Sequence, residues 1–283
     1  MKLKVISLTI LLAILLGLTR IALSETNIVI KGSTTVLPIA QKLLEAYTKG
    51  HRDVNISLSG GGSGDGIKAL LDGTTDIANS SREIKPAEEE KARVKNIKPL
   101  AHVIAYDAIV PIVHPKNKVT DLSLDQLSQI YQGKITNWKE VGGDDMVIVV
   151  VSRDSSSGTF ESWGELVLKG ARVTPKAQMQ ASNGAIVQTV SKNKYAIGYI
   201  GLGYINKSVK PLKVNGISAT VETARTHQYP ISRPLYMYTK GEPVGSVADF
   251  IKFALSPEGQ KLVAESGFVP VKQLPSKPHK KNK

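Results

Sequence analysis

Three short turns rich in serine, threonine and glycine carry the chemistry legible in this chain: Gly32-Ser33-Thr34-Thr35, the GGGSGDG run at 60–66, and Ser155-Ser156-Ser157-Gly158-Thr159. Each runs directly into a stretch with apolar residues at helical spacing. A loop of this kind turns backbone N–H groups inward at the start of a helix, where four donors are unpaired and the helix dipole is positive. Such a place binds anions without a metal. Three of them in one chain suggest a single oxyanion held from several sides.

The individual residues divide by how much a plain structural role explains. Ser33, Thr34 and Thr35 can cap the helix that follows or contact a ligand, since both uses share one geometry. Ser63 sits in a glycine run that no cap requires and that close backbone approach to a ligand does. Arg153 precedes the third turn and can grip an oxyanion at two points, with Asp154 beside it to hold the guanidinium. Ser157, Gly158 and Thr159 complete that turn. Arg82, after Ser80 and Ser81, is a second candidate cation or a partner for Glu83 or Glu88. Asp107 interrupts an apolar run, where an ionised carboxylate is costly without a partner. It is either the acceptor of a ligand proton or a structural aspartate bonded to backbone donors.

The elements that must position these residues alternate. Residues 27–31, 54–58, 76–78, 146–151 and 196–200 read as short strands. Residues 36–49, 67–72, 87–94, 123–131, 160–167, 183–192, 247–255 and 257–265 read as helices, with Ser123 and Gln126 spaced as a capping box. Strand, glycine turn and helix in succession imply an α/β fold with ligands at the carboxyl ends of strands. Two long apolar runs, 105–113 and 230–238, are the best crossing points between two lobes. Lobe 1 then comprises 25–106 and 235–274, and lobe 2 comprises 107–234.

Composition narrows the class. Lys2 and Lys4, the apolar run from Leu8 to Leu18 and Ala22-Leu23-Ser24 read as a cleaved signal peptide over 1–24. The chain has no cysteine, which excludes disulfides, thiolate metal sites and a lipidated cysteine. It holds 37 Lys and Arg against 24 Asp and Glu, a net charge of +13 that suits an anionic ligand. Part of that excess lies in a Pro- and Lys-rich tail, 275–283, that reads as disordered. There is no RNA-binding aromatic signature and no zinc-finger spacing. No Gly-x-Ser-x-Gly elbow occurs, Ile67 stands where a phosphate-loop lysine would, and the five histidines are scattered. Enzyme readings therefore have no nucleophile, metal cluster or nucleotide motif to rest on.

Several separated motifs carry a resemblance: GSTTVLP (32–38), GGGSGDG (60–66), DIANSSRE (76–83), YQGKITNWKEVGG (131–143), SRDSSSGTF (152–160), AIGYIG (196–201), YPISRPLYMYTKGEP (229–243) and SPEGQ (256–260). In order and spacing, over nearly the whole mature chain, they resemble the phosphate-binding subunit of bacterial phosphate ABC transporters. The resemblance implies the class II periplasmic-binding-protein fold: two mixed-sheet lobes joined by two crossing strands, closing on one phosphate and docking on a membrane permease. It implies a periplasmic, monomeric binder that is not an enzyme and needs no metal or cofactor. Carried over, Ser33 and Thr34 match the donors of the first turn and Ser63 the serine of the second. Arg153, Ser157, Gly158 and Thr159 match the anion loop. Some members of the family carry an acidic acceptor after the third strand. This chain has Ser81 and Arg82 there, so Asp107 is expected to take that role and to favour phosphate over sulfate. Sulfate or molybdate binding by the same fold, a secreted phosphoester hydrolase, and an adhesin or sensor are the alternative readings.

Overall fold

The computed structural model describes residues 26–272, so the expected signal peptide and basic tail lie outside the described residues. The chain forms β1 (Thr26–Gly32), α1 (Leu37–Gly50), β2 (Val54–Gly60), α2 (Ser63–Leu71), β3 (Ile77–Ser80), α3 (Pro86–Val94) and the long β4 (Leu100–Val113). Then follow β5 (Asp121–Leu122), α4 (Leu124–Gln132), β6 (Val149–Arg153), α5 (Gly158–Leu166), β7 (Gln178–Gln180), α6 (Asn183–Lys192) and β8 (Ala196–Gly201). The last third holds β9 (Lys210–Pro211), β10 (Lys213–Val214), α7 (Val221–Arg225), β11 (Ser232–Thr239), α8 (Gly245–Ala254), α9 (Pro257–Glu265) and β12 (Val269–Pro270).

The main sheet runs β2-β1-β3-β11-β4-β8-β6-β7, and it is mixed. β1 pairs in parallel with β2 and β3, and β6 with β7 and β8, as strand–helix–strand units require. β11 and β4 are antiparallel to their neighbours and tie the two parallel halves together. β4 serves both halves. Its first part, up to Ala108, pairs with β11, and its last part, from Ile109, pairs with β8.

Two main cores flank this crossing. One gathers Ile28, Ile39, Leu43, Ile104, Leu235, Phe250 and Phe268 under α1, α8 and α9. The other gathers Ile109, Tyr131, Trp138, Trp163, Ile186, Ile197 and Tyr199 under α4, α5 and α6. Local signals account for the helices in between. Pro38 fits the first turn of α1. Ser123 Oγ accepts the Gln126 N–H at 3.0 Å and Gln126 Oε1 accepts the Ser123 N–H at 2.9 Å, closing the capping box at α4.

Several boundaries shift from expectation, and among the helices the start of α2 shifts most. α2 starts at Ser63 rather than Ile67, so the second half of the glycine run is itself helical. The cause is packing: a Cβ on Gly66 would lie 2.7 Å from Gly32 Cα and 2.8 Å from the Lys31 carbonyl. That glycine lets α2 lie directly on β1.

Candidate anion-binding cleft

The three turns meet where the lobes face each other. Gly32–Thr35 links β1 to α1, and its hydroxyls do not cap that helix, whose N-cap is Val36 with no side-chain bond. Instead Ser33 Oγ accepts the Thr35 N–H at 3.1 Å, and the Thr34 and Thr35 hydroxyls reach across to the other lobe. Ser63 is fully buried at the start of α2, where its Oγ accepts the Ser81 N–H at 3.0 Å. The third turn comes from β6 and α5. A Cβ on Gly158 would sit 2.3 Å from Ser63 Oγ and 2.7 Å from Ser81 Oγ. Only glycine lets the α5 N-terminus approach the first lobe this closely. The Gly64 N–H also donates to the Ser156 carbonyl at 3.0 Å.

At the floor lies an ion pair set by strand register. Asp107 on β4 stands opposite Arg233 on β11, at the point where β4 leaves β11 for β8. Arg233 Nε and Nη2 donate to Asp107 Oδ2 at 3.2 and 3.0 Å, and the Leu202 N–H donates to Asp107 Oδ1 at 2.9 Å. Arg233 Nη2 also reaches Thr159 Oγ1 at 2.9 Å and Thr35 Oγ1 at 3.4 Å, while those two hydroxyls lie 3.0 Å apart. Arg233 Nη1 is buried and, among the described residues, has no hydrogen-bond partner.

Arg153 is buried beside them. Its Nε and Nη2 donate to the Gln180 and Ala181 carbonyls at 3.0 Å each. Backbone carbonyls therefore hold it more closely than Asp154, which is 3.7 Å away and uses Oδ1 to accept from Ser156. Burial pulls both guanidinium groups below their usual value, and Arg233 adds repulsion at Arg153. Burial likewise pushes the Asp107 carboxyl up, against the opposing pull of Arg233. Guanidinium groups stay charged in proteins. The two cations stand against two carboxylates, Asp107 on Arg233 and Asp154 at 3.7 Å from Arg153, so the floor offers an anion unspent guanidinium and hydroxyl donors in a place that water screens little.

Two expected ligand residues are placed otherwise. Arg82 spends its donors on a rim cluster: Nη1 and Nη2 grip Glu88 at 2.7 and 2.8 Å, Nη1 also donates to the Glu83 carbonyl, and Nε meets Glu161. Lys85 joins the same Glu161 at 2.7 Å. Arg82 thus links the lobes at the edge instead of facing the floor. Asp107 has both oxygens engaged by Arg233 and Leu202, which orients it behind the arginine rather than toward a ligand proton. Ser157 also has a capping role, its Oγ accepting the Phe160 N–H at 3.2 Å.

Sequence reading missed Arg233, Asn183 and Tyr204. Asn183 Nδ2 donates to Thr34 Oγ1 and Thr35 Oγ1 at 3.1 Å each, and the Tyr204 hydroxyl donates to the Thr34 carbonyl. Pairing the two crossing runs antiparallel would have brought 107 opposite 233. Nothing in the local sequence marks Asn183 beyond its place at a helix start. Among the described residues no three His, Cys, Asp or Glu side chains are placed to hold a metal.

Comparison with known proteins places the chain. A family model described as a PBP superfamily domain matches residues 21–258. The phosphate-binding protein PstS of Borreliella burgdorferi is 36% identical over 261 residues, spanning 88% of this chain and 91% of that one. PstS of Staphylococcus epidermidis is 36% identical over 253 residues, spanning 84% of this chain and 77% of that one. Among solved structures, a putative phosphate ABC transporter substrate-binding protein of Clostridium perfringens with bound phosphate aligns with a TM-score of 0.82 at 39% identity, covering 87% of this chain and all of that one. An ABC-type phosphate transport receptor of Vibrio cholerae aligns with a TM-score of 0.71 at 34% identity, covering 86% and 99%.

Proposed function

This chain belongs to the PBP superfamily, among the PstS phosphate-binding proteins, and on that premise we propose that its cleft closes on one inorganic phosphate at the floor described above. It binds phosphate for delivery to an ABC importer. The unpartnered Nη1 of Arg233 carries the placement. A buried guanidinium nitrogen with no acceptor costs free energy unless an anion meets it. Ser33, Thr34, Ser63 and Thr159, the Gly158 backbone at the α5 N-terminus, and Arg153 supply the remaining donors. A hydrogen bond from a charged or dipole-aligned donor to an oxyanion is stronger than a neutral one. Asp107 acts through Arg233, fixing the guanidinium plane that the anion meets.

The lobes divide near 106/107 and 234/235, so that β4 and β11 form the hinge. The protein works outside the cytoplasm after loss of residues 1–24, as a monomer that binds and releases phosphate without turning it over. Its partners are the membrane permease subunits of the importer and not nucleic acid. No helix among the described residues is long and apolar enough to cross a membrane.

Titration calorimetry on ligand-stripped protein tests this reading. Phosphate gives saturable one-to-one binding, with sulfate and molybdate at least about 100-fold weaker, the scale of rejection expected of a site built on matched hydrogen bonds. Absence of phosphate binding, or tighter binding of sulfate, overturns it.

A further inference from the structure

Asn183 is the first residue of α6 and is fully buried. It belongs to the second lobe, yet its amide reaches Thr34 and Thr35 of the first. Its orientation is fixed by the hydrogen-bond network. The Gly201 N–H donates to Asn183 Oδ1 at 3.0 Å, so the acceptor end of the amide must face Gly201 and the NH2 must face the threonines. The two amide hydrogens go to two hydroxyl oxygens, each at 3.1 Å.

Counting lone pairs gives the consequence. A hydroxyl accepts twice and donates once. The two hydrogens of Arg233 Nη2 go to Asp107 Oδ2 at 3.0 Å and Thr159 Oγ1 at 2.9 Å, so Thr35 Oγ1 at 3.4 Å shares one at most. Thr35 Oγ1 accepts from Asn183 Nδ2, and neither Asn183 Nδ2 nor Arg233 can accept, so among the described residues the acceptor for its own hydrogen is Thr159 Oγ1, 3.0 Å away. Thr159 Oγ1 then accepts from Thr35 and from Arg233 Nη2, which leaves its hydrogen to point outward. Thr34 Oγ1 likewise accepts from Asn183 and is left with its hydrogen to donate. Both free hydrogens belong to residues that wall the floor.

We infer that Asn183 is a positioning residue for anion binding: by donating to Thr34 and Thr35 across the closed cleft, it fixes the direction of the hydroxyl chain Thr35–Thr159 and turns the Thr34 and Thr159 hydrogens toward the ligand. This rests on the phosphate-binding reading and adds to it a residue outside the three turns. Because donor and acceptors come from different lobes, the hydroxyls acquire their direction only on closure. A hydroxyl free to rotate could point its lone pair at an anion instead. Fixing it as the lobes close removes that repulsive option.

The test is a double-mutant cycle read by phosphate calorimetry, with thermal unfolding followed on every variant. Asn183→Ala weakens phosphate binding by roughly 10- to 30-fold, the scale of two modest hydrogen-bond effects. In a Thr34→Val/Thr35→Val background the same substitution costs less than about 3-fold, because no hydroxyls remain to orient. Asn183→Asp keeps an acceptor for the Gly201 N–H but removes the donor pair. It keeps an unfolding midpoint close to wild type without restoring affinity. Equal costs of Asn183→Ala in both backgrounds, or affinity restored by Asn183→Asp, overturn the inference and reduce Asn183 to a brace for β8. Phosphate binding by the wild type in the same series keeps this outcome separate from failure of the functional reading itself.

Discussion

Arg233 at the floor and Arg82 at the rim are both buried, yet they are wired in opposite ways. Arg233 faces one carboxylate and keeps a buried nitrogen unpartnered. Arg82 faces two carboxylates and a backbone carbonyl. The floor sets Arg233 and Arg153 against Asp107 and a looser Asp154 at 3.7 Å, and leaves a guanidinium nitrogen unspent. The rim sets Arg82 and Lys85 against Glu88 and Glu161 in close pairs. Unspent donors draw an anion, whereas a closely paired cluster spanning two lobes holds them together. Arginine in a cleft is thus not evidence of a ligand contact until its own partners are counted.

The sharpest way to break this comparison is Arg233→Ala. It removes the unpartnered donor and strands Asp107 as a buried, unpaired carboxylate. Loss of one partner of such a pair costs about 2–5 kcal/mol. Phosphate binding should fall by at least that factor in calorimetry, and the unfolding midpoint should drop as well. Near-normal affinity would move the anion away from the floor.

Asp107→Asn sharpens the assignment with a smaller change. The amide keeps one acceptor oxygen where the carboxylate has two, so either the Leu202 N–H or Arg233 now faces an amide NH2, and the charge that anchors the guanidinium is gone. Affinity should fall by about 1–2 kcal/mol, the scale of a charge-assisted bond made neutral. The ratio of phosphate to sulfate affinity in a competition titration should stay constant. A shift of that ratio toward sulfate would restore Asp107 as the acceptor of the ligand proton.

The rim should respond least. Glu161→Gln removes one carboxylate shared by Arg82 and Lys85, and partly exposed pairs contribute up to about 1 kcal/mol. The loss should appear as faster phosphate release in stopped flow, more so at low salt, with selectivity unchanged. Acid should act at the same place. Burial pushes the Glu88 carboxyl up, but bonds from Arg82 and the Lys85 N–H outweigh this and leave it below the ordinary value. Its contribution is therefore present at neutral pH and is lost as pH falls through that lowered value. Glu88→Gln should flatten the acid limb of the unfolding profile.

How far the sequence could be read follows from the same residues. The three turns, the helices after them and the α4 capping box were legible because their causes are local. Arg233 was not, because its place depends on the register of β11 against β4 over a separation of 126 residues. Asn183 read only as a helix start, since its partners belong to the other lobe. Arg82 reads from sequence as a candidate cation or as a partner for Glu83 or Glu88. The structure pairs it with Glu88 and adds Glu161 from the opposite lobe. The glycine run was tied to a ligand, whereas Gly66 instead serves the contact of α2 with β1.

The position of β11 in the sheet also orders how this chain can assemble. β11 lies between β3 and β4, so β1, β2 and β3 have no sheet contact with β4 until residues 232–239 arrive. The core under α4, α5 and α6 draws almost wholly on residues 108–231, with Val269 the exception, and can condense while that segment is still missing. The other core needs Leu235, Met237, Phe250 and Phe268 as well as the early strands. Made from the N-terminus, the chain holds β1, β2 and β3 with an open β3 edge while the middle folds. Such an edge invites pairing with other chains, and closing so long a loop is slow. The half of the molecule synthesised first is the half completed last.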